Sequence, residues 1–131
     1  MKYVALIAVC IVALLGCHTV PTEIPDDLTQ AELILDAQDA ADLENWEAAI
    51  AYYSAIVERF PDDREGYATA LYEIAFIHYK LEDYESARAE FDELLGMYET
   101  ESDVLPQWPK TLAERIVAKM DESDDTATDG S

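Results

Sequence analysis

Trp46-x-x-Ala49-x-x-x-Tyr53-x-x-Ile56 returns 38 residues later as Tyr84-x-x-Ala87-x-x-x-Phe91-x-x-Leu94. An aromatic, a small residue, a second aromatic and an aliphatic recur at steps of three and four, which places them on one face of a helix. The correspondence continues upstream, where Leu33, Ala37 and Leu43 match Leu71, Ala75 and Leu81. A small residue at such a site lets two helices approach closely, and the larger ones fill the gap around it. Repeated pairs of amphipathic helices cannot bury their faces alone, so they stack, and stacking leaves an exposed groove suited to holding other proteins. The interior is rich in Ala, Leu and Glu, poor in glycine, and carries no competing strand signal. The expected fold is all-α: a short α-solenoid of about two helix-turn-helix repeats with a C-terminal capping helix.

The arrangement resembles the tetratricopeptide repeat, a helix-turn-helix unit of about 34 residues. Ala37, Trp46, Ala49, Tyr53 and Pro61 fall in that pattern in the first copy, and Ala75, Tyr84, Ala87 and Phe91 do so in the second. Two departures are visible. The period is longer, and Glu99 stands where the second copy's closing proline would be. The long period, with Phe60-Pro61-Asp62-Asp63 before a long first helix, is similar to lipoproteins of the outer-membrane β-barrel assembly machinery. The resemblance covers residues 30 to 100, roughly.

Lys2 precedes an apolar run from Tyr3 to Leu15, then Gly16 and Cys17. One positive charge, an apolar stretch and a small residue near its end make a secretory signal. The stretch is shorter than the roughly 18 apolar residues that a membrane span takes. Leu14-Leu15-Gly16-Cys17 resembles the lipobox of bacterial lipoproteins, in which the cysteine is lipidated and becomes the new N-terminus. The alternative is an ordinary secretory signal, or an uncleaved anchor that contains a cysteine. With lipid on Cys17 and Cys10 removed with the signal, no thiol remains for a disulfide, metal or nucleophile. Several acyl chains hold a protein on a membrane firmly, whereas one alone binds marginally. His18 follows the cysteine where, in Gram-negative lipoproteins, an aspartate would mark inner-membrane retention. The resemblance therefore implies a lipid-anchored envelope protein at the outer membrane, facing the periplasm.

Charge excludes another class. Lys2 leaves with the signal, so seven basic residues remain against 29 acidic ones, a formal charge of −22. Such a surface repels phosphate backbones and no basic cluster offsets it, which argues against nucleic acid. It can attract a basic protein, although solvated helix faces account for most of these carboxylates.

Along the chain, residues 1–16 form the signal peptide and residues 17–28, with Pro21 and Pro25, a flexible tether. Thr29-x-x-Glu32 is a capping box opening a helix from Gln30 to Leu43. Asn45 caps a second helix that Pro61 ends near Phe60. A third covers Glu65 to Lys80, with Gly66 weakening its first turn, and Asp83 caps a fourth that runs to Tyr98. The repeats thus occupy 29–100. A loop and a capping helix follow over 101–120, where Leu112, Ile116, Val117 and Met120 form an apolar stripe and Trp108 supplies the largest buried area. The acidic tail, 121–131, has no apolar anchor and is expected to be disordered. Two repeats fall short of the roughly three that stable arrays need, and the fifth helix is the natural remedy.

Tyr72, Phe76 and Tyr79 share one face of the third helix. By resemblance to the tetratricopeptide repeat, that face lines the concave groove, and Ile34, Gln38 and Ala41 hold the matching positions in the first copy. Aromatic rings give much contact area for little entropy loss, which suits a groove for a peptide or helix. The same rings could equally be ordinary core, or be covered by the tether or the fifth helix. His78, among packed positions with no second histidine nearby, reads as a structural histidine, and His18 has no partner in the tether. No H-E-x-x-H or Gly-rich phosphate loop is present. The tail lacks the alternation and closing glutamate of a calcium loop. Acidic pairs at helical spacing arise by chance in a chain with so many carboxylates. No catalytic residue, metal or cofactor is expected. The leading reading is a scaffold or adaptor that docks envelope proteins through its groove, with a place in outer-membrane protein assembly as a variant. The alternative is a self-associating structural envelope lipoprotein that buries its aromatic face in a homodimer.

Overall fold

The computed structural model describes residues 20, 21 and 23–128, so the signal peptide, Cys17 and His18 lie outside the described residues. Five helices follow one another: α1 (Gln30–Asp42), α2 (Trp46–Arg59), α3 (Arg64–Lys80), α4 (Tyr84–Glu101) and α5 (Gln107–Thr128). There is no strand among the described residues. Each helix packs on the next in sequence, and α5 also touches α3. The first helices of each pair and α5 therefore form one layer, with α2 and α4 in the other.

Helix starts follow local chemistry. The Thr29 N–H donates to Glu32 Oε2 at 2.8 Å, and the Glu32 N–H donates back to Thr29 Oγ1 at 3.3 Å. Asn45, Asp63 and Asp83 each accept from the backbone N–H three residues on, at 3.4, 3.2 and 3.3 Å, satisfying donors that a helix start leaves unpaired. Asp63 starts α3 one residue earlier than the sequence indicated. Both intra-repeat turns are Schellman closures. The Asn45 N–H reaches Ala40 O at 2.8 Å and the Glu44 N–H reaches Ala41 O at 2.9 Å; Asp83 to His78 and Glu82 to Tyr79 repeat the pattern at 3.0 and 3.1 Å. Glu44 and Glu82 hold the left-handed conformation this closure requires, with φ of 56° and 62°.

Most of the repeated positions are core, although Trp46 is half-buried and Tyr84 exposed. Leu33, Ala37, Ala49, Tyr53 and Ile56 are buried, as are Leu71, Ala75, Ala87, Phe91 and Leu94. Burying each of the larger ones contributes about 1.5–3 kcal/mol. Leu43 and Leu81 are different. They close their helices from the turn and are 70% and 48% exposed, so the repeat at these positions reflects the turn, not the core. Helix α3 serves two cores at once: Ala70, Ile74 and Ile77 join the α1–α2 cluster, while Ala68, Leu71, Tyr72 and Ala75 join the α4–α5 cluster. A helix buried on two faces must be apolar on both.

At the C-terminal side, α4 runs to Glu101, beyond Tyr98, because Glu99 replaces the proline that would stop it. Arg64, in the first turn of α3, clamps that extension through Nε and Nη2 to the Glu101 carboxylate at 2.5 and 2.6 Å. Helix α5 buries Pro109, Ala113 and Met120, with Leu112, Ile116 and Val117 against the same cluster. Trp108 is 42% exposed, so the buried anchor at the start of α5 is Pro109, which the first helical turn tolerates. The helix also continues to Thr128 where a disordered acidic tail was expected from residue 121. Arg88 pairs with Asp121, and a helix already nucleated on a packed stripe extends at low cost.

The tether is shorter than the sequence indicated. Ile24 and Leu28 pack on the α1–α2 core. Arg59 donates to Pro25 O at 2.7 Å and to Ile24 O at 2.9 Å. Two backbone carbonyls and an apolar contact fix this stretch to the end of α2.

Candidate functional site

The aromatic face of α3 carries a continuous row of rings. Trp108 meets Tyr72 edge-on at 5.2 Å between centroids, Tyr72 stacks on Phe76 at 5.9 Å, Phe76 on Tyr79 at 6.4 Å, and Tyr79 meets Tyr84 at 5.8 Å. Helical spacing on α3 sets the middle three, and α5 and α4 supply the ends. Burial grades along the row. Tyr72 is buried, Phe76 and Tyr79 are half-buried, and Tyr84 and Trp108 are exposed. Burial first, then the neighbouring Glu73 carboxylate, push the Tyr72 hydroxyl up to about 12. Tyr72 is thus part of the α4–α5 core, while Phe76 and Tyr79 keep a free edge.

Phe76 opens toward α1. There a cavity of about 150 Å³ is walled by Ala41 and Asp42 from α1, Trp46 and Tyr53 from α2, and Glu73, Phe76 and Lys80 from α3. The structure places Ala41 and Phe76 in the walls of this one cavity. Ile34 lies in another part of the α1–α3 cleft, a hollow of about 290 Å³ shared with Gln30, Asp63 and Thr69. Gln30 fills the space where a Cβ on Gly66 would stand, 1.8 Å from its Nε2. Gln38 is exposed and stands apart from both hollows. Tyr79 faces the other way, into a cavity of about 270 Å³ bounded by Tyr84, Arg88, Lys119 and Met120.

Four further residues of the α1–α3 cavity, Asp42, Glu73, Ile77 and Lys80, were not singled out in the sequence. Glu73, Phe76, Ile77 and Lys80 fall at i, i+3, i+4 and i+7, a single helical face that was available to read. Burial holds the Glu73 carboxyl above its ordinary range. Burial first, then the Glu73 and Asp42 carboxylates, push the Tyr53 hydroxyl up to about 12. Trp46 forms the opposite wall, and the Lys80 ammonium sits 4.2 Å from its ring centroid. His78 lies outside this cavity and bonds through Nδ1 to Glu90 Oε2 at 2.7 Å, the structural role its position indicated. Among the described residues no group of three His, Cys, Asp or Glu side chains gathers as a metal site, and no helix is long and apolar enough to cross a membrane.

The profile of the tetratricopeptide repeat matches residues 36–63 and 69–99, the two helix pairs described above. The chain is also similar to a protein described as uncharacterized from Treponema pallidum (strain Nichols), 32% identical over 88 residues, which is 66% of this chain and 35% of that protein. The chain spans about a third of that relative's length. No solved structure matches. The chain thus carries tetratricopeptide repeats on an all-helical solenoid. Such repeats are generally non-enzymatic protein-interaction units.

Proposed function

We propose that the protein is a lipid-anchored envelope scaffold that takes partner proteins in the cleft between α1 and α3. The observation that carries this reading is the half-buried edge of Phe76 facing Ala41 across an open cavity. Two first helices of a repeat solenoid hold that cavity, and an aromatic wall continues beyond it. A pure core would close over the ring; here the ring lies between Tyr72 and Tyr79 and stays half-buried, with part of it lining the cavity. Rigid, partly exposed aromatics are the common anchors of protein interfaces.

The lipid anchor rests on the Leu14-Leu15-Gly16-Cys17 sequence. Ile24 is fixed to the domain, so only the stretch from Cys17 to Ile24 separates lipid from fold, a reach of at most about 25 Å at full extension. That keeps the groove close to a membrane surface, where envelope partners are concentrated. His18 favours the outer membrane, and the long repeat period with Phe60-Pro61-Asp62-Asp63 favours a place in β-barrel assembly.

The test is chemical crosslinking in intact cells, membrane fractionation, detergent extraction and mass spectrometry, applied to the wild type, Phe76→Ala and Cys17→Ser. A stoichiometric envelope partner lost in Phe76→Ala, together with release of Cys17→Ser from the membrane fraction, is the expected result. Recovery of self-crosslinked protein alone would replace the scaffold with a homodimer. Retention of the partner by a well-folded Phe76→Ala would move the binding site elsewhere.

A further inference from the structure

Charge distinguishes the α1–α3 cavity from an ordinary aromatic groove. Glu73 lies in its wall, half-buried, and among the described residues its carboxylate has neither a hydrogen bond nor an ion pair. Asp42 lines the same cavity from α1. An unpaired, partly desolvated carboxylate costs the fold free energy unless a cation or donor joins it. The π faces beside it are already used by a cation of the chain itself. Lys80 Nζ stands 4.2 Å from the Trp46 centroid and 5.8 Å from that of Phe76, within cation–π range of both. Lys80 is exposed and forms no ion pair among the described residues, so it rests on the rings without neutralising Glu73.

We propose that this cavity receives an arginine or lysine side chain from an extended basic segment of a partner protein, its stem against Trp46 and Phe76 and its head group between Asp42 and Glu73. Lys80 covers the ring face until the partner's cation displaces it. Arginine suits the site best, because a guanidinium is weakly hydrated, stacks on rings and still pairs with a carboxylate. The chain's formal charge of −21 draws basic segments toward it from a distance, and the cavity turns that diffuse attraction into a position. This inference rests on the α1–α3 cleft being the binding groove.

The test uses the isotope-labelled full chain in detergent, with the Trp46 indole N–H as reporter. The probes are a short peptide alternating arginine and serine, and its uncharged counterpart with citrulline for arginine. The arginine peptide should shift the Trp46 signal and bind roughly tenfold tighter than the citrulline peptide, the scale of one charge-assisted contact. Glu73→Gln should erase that advantage. Glu99→Gln, an equal charge change at an exposed site on α4, should preserve it. Equal weakening by the two substitutions would reduce the effect to surface charge and overturn the inference. Citrulline binding as tight as arginine binding would keep the groove and remove its cation preference. If neither peptide moves Trp46 while Phe76→Ala still abolishes partner capture in cells, the cation site fails and the groove stands; if both effects are absent, both fail. Glu73→Gln is a clean probe of binding. Burial raises the folded-state pKa of Glu73, so its charge weakens the fold as pH rises through that range, and the variant should melt at or above wild type near neutral pH.

Discussion

Glu44 and Glu82 occupy equivalent places in the two intra-repeat turns, and both hold positive φ with a full side chain. Left-handed backbone costs a non-glycine residue roughly 1–2 kcal/mol, and glycine is the usual occupant of this closing position. Glu44→Gly and Glu82→Gly should therefore each stabilise the protein by about 0.5–1 kcal/mol, since part of the relief is returned as unfolded-state entropy. Urea unfolding checks this as a raised midpoint with an unchanged slope. The strain was invisible in the sequence, because Leu43-Glu44-Asn45 reads simply as the end of one helix and the cap of the next. Short-range signals were otherwise accurate at this scale: the Thr29–Glu32 box, the Asn45 cap and the Asp83 cap all form as read. Trp108 failed for a different reason. Ring size says how much a residue can bury, but the packing of α5 decides what it does bury, and there Pro109 went inward instead.

Helix α3 shows what periodicity can and cannot deliver at the scale of an element. Its repeat positions Leu71 and Ala75 match those of α1 and were readable as core. Its second apolar face, Ala70, Ile74 and Ile77, was not predictable from one amphipathic stripe, because it meets the preceding pair, α1 and α2, only once the repeats stack. The same argument gives α5 its role. Without it, Tyr72 and the rest of the α4–α5 cluster lose their cover from Pro109, Ala113 and Met120. Truncation after Tyr98 should lower the melting temperature by about 10 °C or more, the shift that a loss of a few kcal/mol produces in a domain of this size. An unchanged melting temperature would mean that two repeats suffice and that α5 is an ornament. The tether and tail fell outside pattern reading for a common reason. Arg59 reaching back to Ile24 and Pro25, and Arg88 reaching forward to Asp121, are contacts between segments far apart in sequence.

The whole molecule joins an aromatic cleft to a strongly acidic surface and, through Cys17, to a proposed lipid anchor. Part of the cleft followed from the resemblance to the tetratricopeptide repeat, which put Ala41 and Phe76 at matching positions of the first helices of two repeats. The rest required three dimensions. Glu73, Lys80 and Trp46 acquire meaning only when α1, α2 and α3 meet around one cavity. The central claim is that partners enter this cleft and not the opposite layer. A photoreactive phenylalanine analogue at position 76, compared with the same group at the exposed Glu99 of α4, tests it in living cells. Crosslinks to a defined envelope protein from position 76 and none from position 99 would place the partner in the cleft. Crosslinks from position 99 alone, with position 76 silent in a folded protein, would contradict the claim and put the binding surface on the outer layer of the solenoid.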